Sequence, residues 1–354
     1  MSSSGQLWIV TRKHPPAVGG MEELSYQTAR QLARVRTIRL LSWGHSQIWL
    51  PLFAIYAGLR LMAGLLGRRV EVLLLGDPVL AVLGWLAARF GVPVVCVVHG
   101  LDLTWRSALY QAYLRRFFWG RMDGFICISR YTADLVRAGG APTQRVFVVP
   151  VGVTVPRQMR PAALDGDPVL LFIGRLVARK GAAWFVSEVL PGLARTFPGA
   201  RLCIVGEGPE RRRIDAAAKQ QGVTKHVVLA GAVDEDTKWS LLARCDAAVV
   251  PNVPVDGDVE GFGIVALEAA AAGKPVFVAD LEGLRDAVTD GVNGWRLPPG
   301  NAAAWLDGLT SRLRDRELLR RQGEKARLHV TRNFDWESIG ERYAAIIDGI
   351  SPRR

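Results

Sequence analysis

Short runs of Val, Leu and Ile recur along the whole chain, separated by segments with apolar residues at helical spacing. Strands are predicted in the first half at Leu7–Thr11, Thr37–Ser42, Val70–Leu75, Val94–His99, Gly124–Ile128 and Val146–Val149. In the second half they are predicted at Val169–Ile173, Arg201–Val205, Val227–Ala230, Ala247–Val250 and Pro275–Val278. Many of these runs are almost continuously aliphatic, as strands covered on both faces of a parallel sheet must be. Helical patterns such as Glu22–Arg34, Ser107–Arg121 and Ile214–Gln221 fall between them. This βαβ rhythm occurs twice, which implies an α/β chain of two doubly wound, Rossmann-like domains with a cleft at the carboxyl ends of their strands.

The polar stretch Arg157–Asp167, RQMRPAALDGD, marks the expected boundary. It gives domains 1–160 and 161–335, followed by a C-terminal segment 336–354. That last segment reads as one amphipathic helix, with Trp336, Ile339, Tyr343, Ile346 and Ile347 at helical spacing. The longest apolar run is Ile48–Leu66. Pro51 and Arg60 interrupt it, so it is expected to be a mostly buried helix, or one lying at a membrane surface, rather than a span. Met1–Gln6 is polar and leads straight into a strand, so no leader peptide is expected.

Composition is that of a globular protein, 49% hydrophobic and 22% charged over 354 residues. Charge is unevenly placed. Residues 1–160 hold 19 Lys and Arg against 7 Asp and Glu, and the 26 basic and 26 acidic groups of 161–354 cancel, so the whole net +12 sits in the first half. Such a half would suit a membrane, nucleic acid or a phosphorylated substrate, although an Arg-rich proteome would produce the same bias. Cys96, Cys127, Cys203 and Cys245 have no CxxC spacing and lie in apolar stretches. They read as buried free thiols in a reducing, cytoplasmic compartment.

Candidate chemistry lies in three places in the second half. Phe172-Ile173-Gly174-Arg175-Leu176 leads into Arg179-Lys180-Gly181, which puts two cations, Arg175 and Lys180, between a strand and a helix start. This is either an anion site or a tight turn with a solvated basic pair. Val205-Gly206-Glu207-Gly208-Pro209-Glu210 also follows a strand. It is either a close-approach loop for a ligand or a plain strand-to-helix turn. Glu260-Gly261-Phe262-Gly263-Ile264-Val265-Ala266-Leu267-Glu268 sets two carboxylates eight positions apart, the second among alanines where a carboxylate needs partners. Sugar or ribose hydroxyls would serve. Gly263 and Ile264 would offer backbone N–H groups to a phosphate.

Taken in order and spacing, Gly174-Arg175, Lys180-Gly181, Gly206-Glu207-Gly208 and Glu260…Glu268 resemble the retaining glycosyltransferases of family GT4. Gly19-Gly20-Met21-Glu22, His99-Gly100 and Ile128-Ser129 carry the resemblance into the first half. It implies a GT-B fold, two Rossmann-like domains facing each other across a cleft, with the C-terminal helix returning to the first domain. It also implies roles. Arg175 and Lys180 would bind the donor diphosphate, with backbone donors from Gly263 and Ile264 flanked by Phe262 and Val265. Glu260 would hold the transferred sugar and Glu268 the ribose. Gly174, Gly206, Glu207 and the Val233-Asp234 pair would line the nucleotide, Gly19 and Gly20 would meet the phosphates on closure, and His99 would face the sugar; taken by itself, His99 reads as a satisfied histidine at a strand end.

The reaction so implied moves a hexose, mannose or glucose, from a GDP- or UDP-sugar to an acceptor hydroxyl. Attack comes from the front face within an ion-pair-like state, and no metal or other cofactor is required. Asp256-Gly257-Asp258 comes nearest to a metal motif and is expected to be an exposed loop. Three departures blur donor choice: Val151-Gly152-Val153 stands where the family commonly has Asn-Gly-Val, the Asn252–Val259 loop carries extra acids, and a later glycine region reads Leu281-Glu282-Gly283-Leu284-Arg285-Asp286. The Asp-Val-Glu-Gly approach to Glu260 is similar to some mannosyltransferases.

The basic first half would receive a glycan or lipid-linked acceptor. This half carries Arg34, Arg36, Arg39, Arg68, Arg69, Arg115, Arg116 and Arg121 together with the aromatics Trp105, Tyr110, Tyr113, Phe117, Phe118 and Trp119. They would either hold the protein at the inner face of the plasma membrane, an anionic surface, or be solvated arginines over a core of aromatics. Competing classes are a nucleotide-sugar-binding protein without turnover, an NAD-dependent oxidoreductase and a nucleic-acid binder. The oxidoreductase lacks Gly-x-Gly-x-x-Gly after the first strand, and nucleic-acid binding leaves the paired glutamates unexplained, so no nucleic-acid partner is expected.

Overall fold

The computed structural model describes residues 5–155 and 166–350, so most of the boundary expected at 157–167 lies outside the described residues. Two compact units emerge. One runs to Gly152 and resumes at Trp336; the other is Val153–Asp335.

The first unit holds β1 (Gln6–Thr11), β2 (Ile38–Ser42), β3 (Val70–Leu75), β4 (Val94–Val98), β5 (Gly124–Cys127) and β6 (Val146–Val148), all parallel, in the order β2-β1-β3-β4-β5-β6. In register, Val10 lies between Leu41 of β2 and Leu75 of β3. Alternate residues of β1 serve opposite faces: Trp8 and Val10 join a core that also contains Phe53, Leu61, Leu83, Leu114 and Val136. Leu7 and Ile9 are buried as well. The expected C-terminal helix is Trp336–Asp348. It packs on the Gly20–Val35 helix, close enough that a Cβ on Gly340 would strike Gln31.

The second unit holds β7 (Val169–Ile173), β8 (Arg201–Val205), β9 (Val227–Gly231), β10 (Ala247–Val250), β11 (Val276–Ala279) and β12 (Trp295–Leu297), again all parallel, in the order β12-β11-β10-β7-β8-β9. Counted within the unit, this is the doubly wound order in which chain direction across the sheet reverses between the first and fourth strands, here β7 and β10. Ligand sites in such sheets form at the carboxyl ends flanking that reversal. The two parallel six-stranded sheets are those of the GT-B fold.

Eleven strands expected from the sequence are present, their boundaries within one residue. The twelfth, β12, escaped because Trp295-Arg296-Leu297 is three residues long and interrupted by an arginine; it lies at the sheet edge against Phe277. Three other expectations change, and the two readings left open for the arginines and aromatics are narrowed. The Ile48–Leu66 segment is not mostly buried: only 28% of its apolar window is. Of the aromatics near the arginines, Phe118 is core, and Tyr110 and Tyr113 donate their hydroxyls to the carbonyls of Asp102 and Val79 at 2.8 and 2.7 Å. Only Trp105 of that group stands out into solvent. The helix expected to reach Arg121 stops at Phe117. Among the cysteines, all free, Cys203 is only half-buried.

Candidate functional site

β7 ends at Ile173, and the following loop is held by the next strand's loop through backbone bonds. Gly174 N–H donates to the Val205 carbonyl at 3.0 Å and Leu176 N–H to the Glu207 carbonyl at 2.9 Å. Gly206 sits at φ 131°, with its would-be Cβ colliding with the Gly174 carbonyl oxygen; only glycine lets these two loops touch. Gly206 N–H in turn donates to Gly231 at 2.7 Å. The loop closes in a short 3₁₀ turn, Ala178–Lys180, and Gly181 (φ 70°) packs under the Pro251 carbonyl, leaving no room for a side chain. The loops after β7 and β10 are therefore in backbone contact at the reversal point of the sheet.

These contacts bring three side chains onto one carboxylate. Arg179 Nη1 donates to Glu260 Oε2 at 2.5 Å, Asn252 Nδ2 to the same oxygen at 2.9 Å, and Lys180 Nζ to it as well. Arg179 Nε reaches Asp258 Oδ1 at 2.7 Å. The Glu260 backbone N–H donates to Glu282 Oε2 at 2.5 Å, and Glu282 adopts a left-handed conformation to offer it (φ 48°). Burial alone would push the Glu260 carboxyl up. Lys180 and Arg179, with the hydrogen bonds from Lys180 and Asn252, outweigh burial and hold it at about 2. Glu282 is pushed up, by burial first and by the neighbouring Glu260 charge. All three donors use Oε2; among the described residues none bonds Glu260 Oε1.

Arg175 contrasts with this cluster. It is exposed, and its guanidinium has no ion pair or hydrogen bond among the described residues. Lys180 and Glu260 are thus brought together, while Arg175 projects from the same loop. Glu268, on the helix Ile264–Ala271, belongs to a separate pair: Lys238 Nζ lies 2.6 Å from its Oε1 and 2.8 Å from Glu235. The need of Glu268 for a partner, inferred from its apolar neighbours, is thus met by an ammonium group from the Glu235–Arg244 helix.

That Ile264–Ala271 helix starts at Gly263 in a left-handed conformation (φ 90°), and its first backbone bond is Ala266 N–H to Gly263. The N–H groups of Gly263, Ile264 and Val265 have no acceptor among the described residues, the usual state of a helix start available to an anion. Phe262 is buried, 6.2 Å from the Phe334 ring. Glu207 is exposed and pairs with Arg211 at 3.2 Å; Val233 is half-buried and Asp234 caps its helix through Thr237 N–H at 2.8 Å. Of the loop expected to be exposed, Asp256 is exposed, and Asp258 is half-buried and held by Arg179. Among the described residues no group of three or more His, Cys, Asp or Glu is placed to hold a metal.

In the first unit, His99 follows β4 and is buried, its Nε2 2.8 Å from the Gly76 carbonyl that follows β3. Asp102 accepts the backbone N–H groups of His99 and Gly100 at 3.0 and 2.7 Å, which fixes that turn. Gly19 caps the Gly20–Val35 helix, and the space over it is taken by Glu22, itself 3.2 Å from Lys13.

Sequence reasoning missed Arg179, Asn252, Glu282 and Lys238. Arg179 was visible in the Arg-Lys-Gly run, but nothing in a linear pattern says which of two nearby arginines turns inward.

Comparison with known proteins adds the following. A family model described as glycosyltransferase family 4 matches residues 7–157, and one described as glycosyl transferases group 1 matches residues 156–329. A GDP-mannose-dependent alpha-(1-6)-phosphatidylinositol monomannoside mannosyltransferase of Mycolicibacterium smegmatis is 30% identical over 283 residues, covering 76% of this chain and 74% of that protein. A glycogen synthase of Mycobacterium tuberculosis is 30% identical over 273 residues; the match covers 74% of this chain and 64% of the synthase's own length. In fold, the chain is similar to Anabaena Alr3699/HepE, solved in complex with UDP, with a TM-score of 0.76 and 17% identity over 97% of this chain and 99% of that one.

Proposed function

The chain belongs to the group 1, family 4 glycosyltransferases, and on that premise we propose that it moves a hexose, mannose or glucose, from a GDP- or UDP-sugar to an acceptor hydroxyl with retention. The acceptor we assign is a lipid-linked or cell-envelope glycan, a choice supported by the phosphatidylinositol mannoside named in one relative's activity.

The observation that carries the reading is the Glu260 cluster at the reversal point of the second sheet. Its Oε2 is saturated by Arg179, Asn252 and Lys180, and its Oε1 is left to accept sugar hydroxyls. Arg175, unpaired among the described residues, and the N–H groups of Gly263, Ile264 and Val265 supply the positive field for the diphosphate, together with Lys180 once the donor draws it from Glu260. As the anomeric C–O bond breaks, negative charge grows on the leaving phosphate oxygen, and these donors stabilise it. The acceptor oxygen then bonds the anomeric carbon on the face the phosphate leaves, its proton passing to the departing phosphate. No residue of the chain forms a covalent intermediate, and no metal is needed for charge neutralisation. Glu268, with Lys238 beside it, is assigned to the ribose hydroxyls. Gly174, Gly206, Glu207 and Val233 are assigned to the nucleotide, and His99 to the transferred sugar.

The test is a transfer assay with UDP- and GDP-linked glucose and mannose, with the anomeric configuration read by NMR. Turnover should survive a chelator and vanish in Lys180→Ala and Glu260→Ala. A binding signal with none of the donors turned over would return the chain to the class of nucleotide-sugar binders; wild-type rates in either variant would remove the assignment.

A further inference from the structure

The helix Leu50–Leu66 meets the first sheet with Phe53, Ala57, Leu61 and Leu65, one residue per turn. An ordinary surface helix would turn polar side chains outward opposite that stripe. Here the outward positions are Leu52, Ile55, Tyr56, Leu59 and Leu66, preceded by Ile48 and Trp49, each 50 to 82% exposed. Arg60 is the single charged residue in the helix. The face is long, roughly 28 Å from Ile48 to Leu66 at 1.5 Å per residue, and nothing among the described residues covers it. A transmembrane path is closed to it, because crossing would strip Phe53, Leu61 and Leu65 from the core they share with β1 and β3.

Charge says what covers this face. The stretches 43–70, 78–101 and 103–122, which include the helices Leu50–Leu66, Ala81–Ala88 and Ala108–Phe117, contain no Asp or Glu. Those three helices pack on one core and so share one face of the sheet. At the C-terminal end of the apolar helix, Arg39, Arg60 and Arg69 line a concavity with Gln6 and Trp8. None of the three arginines has a carboxylate partner among the described residues. Arg39 instead lies 5.7 Å over the Trp8 ring. Trp8 is 4% exposed, and its indole N–H is buried without an acceptor. On the neighbouring helices Arg89 and Arg116 lie 4.2 and 5.4 Å over Trp85. A concavity lined by three guanidiniums with no carboxylate partner among the described residues suits an oxyanion.

We propose that this face docks on an anionic bilayer. The Ile48–Leu66 stripe lies in the interface plane with its apolar side chains among the upper acyl segments, and the Trp8–Arg39–Arg60–Arg69 pocket takes the phosphate of an anionic lipid headgroup. Trp49 and Tyr56 have the amphipathic rings that settle at the headgroup level. A second copy of the chain is disfavoured as occupant, since it would bring like charges together at Arg60 and Arg69. The inference is independent of the transfer chemistry, which it neither requires nor supports.

Flotation with phosphatidylcholine vesicles, with and without phosphatidylglycerol, tests it. The wild type should float with the phosphatidylglycerol vesicles at low salt, stay behind with phosphatidylcholine alone, and be released by high salt or a carbonate wash. Leu52→Gln/Ile55→Gln/Leu59→Gln and Arg39→Gln/Arg60→Gln/Arg69→Gln alter exposed side chains, so both should keep the wild-type circular dichroism and melting curve. Each should partition at least about tenfold more weakly. The proposal falls if the wild type does not float with anionic vesicles, if either folded variant floats like wild type, or if the protein resists carbonate. It also falls if sedimentation reveals a dimer that the leucine and isoleucine substitutions dissociate, because the face would then belong to a second copy.

Discussion

Replacing Glu260 by Gln removes one negative charge from a site where two cations are already out of water. The side chains of Arg179, Lys180 and Glu260 are 7, 13 and 11% exposed, so solvent does little to screen the loss. A carboxyl held at about 2 instead of its ordinary 4.5 is worth about 3 kcal/mol of folding stability at neutral pH. The sign is fixed by the direction: the folded value is the lower one, so this contribution is complete above the unfolded carboxyl's range and disappears as pH falls through about 2. Urea unfolding at pH 7 should therefore place Glu260→Gln about 3 kcal/mol below wild type, and the gap should shrink to about 1.5 kcal/mol at about pH 3. Adding Lys180→Met should recover part of the loss, since the orphaned ammonium goes with it, giving a coupling of about 1–3 kcal/mol in the double-mutant cycle. A variant within about 0.5 kcal/mol of wild type at pH 7, or a gap that does not change with pH, would refute the view that this carboxylate organises the loops after β7 and β10.

Gly206→Ala should destabilise by about 2 kcal/mol or more, because the new Cβ meets the Gly174 carbonyl at a φ that alanine avoids; a thermal melt like wild type would mean that the two loops are not held as described. Lys238→Met leaves Glu268 without its 2.6 Å partner and should cost about 1–3 kcal/mol in urea, with KM for the donor also rising. His99→Ala should lower kcat for transfer with little change in donor KM, read from steady-state kinetics. A rise in KM alone would assign His99 to binding rather than to the transferred sugar.

Much of the fold was legible because both sheets are buried on two faces. Val-Val-Cys-Val-Val of β4 can be little else, and all five residues are buried. The C-terminal helix was legible from Trp336, Ile339 and Tyr343, now buried in the first unit. β12 was not, since its pairing partner Phe277 and not its own pattern makes it a strand. The Ile48–Leu66 run left two alternatives open, and burial of only 28% of its apolar window removes the mostly buried one, because hydrophobicity alone does not say what covers an apolar face. At the site, Lys180 and Glu260 stood out from their own surroundings, one before a helix start and one in a glycine-rich run, and the resemblance gave them roles. Which arginine accompanies them was decided by the 3₁₀ turn at Ala178–Lys180, which directs Arg179 inward and leaves Arg175 outside. Glu268 required a partner, but Lys238 is 30 residues away on another helix, a contact set by tertiary packing.

Calorimetric titration of UDP and GDP into wild type and Arg175→Ala is the most direct test of the claim that a nucleoside diphosphate binds at the reversal point of the second sheet. Arg175 is exposed and unpaired among the described residues, so its removal should leave the unfolding midpoint where it was. One of the two nucleotides should bind the wild type, and the substitution should weaken it about tenfold or more through the lost diphosphate contact. Equal affinity in the two proteins, or no binding of either nucleotide to wild type, would contradict it.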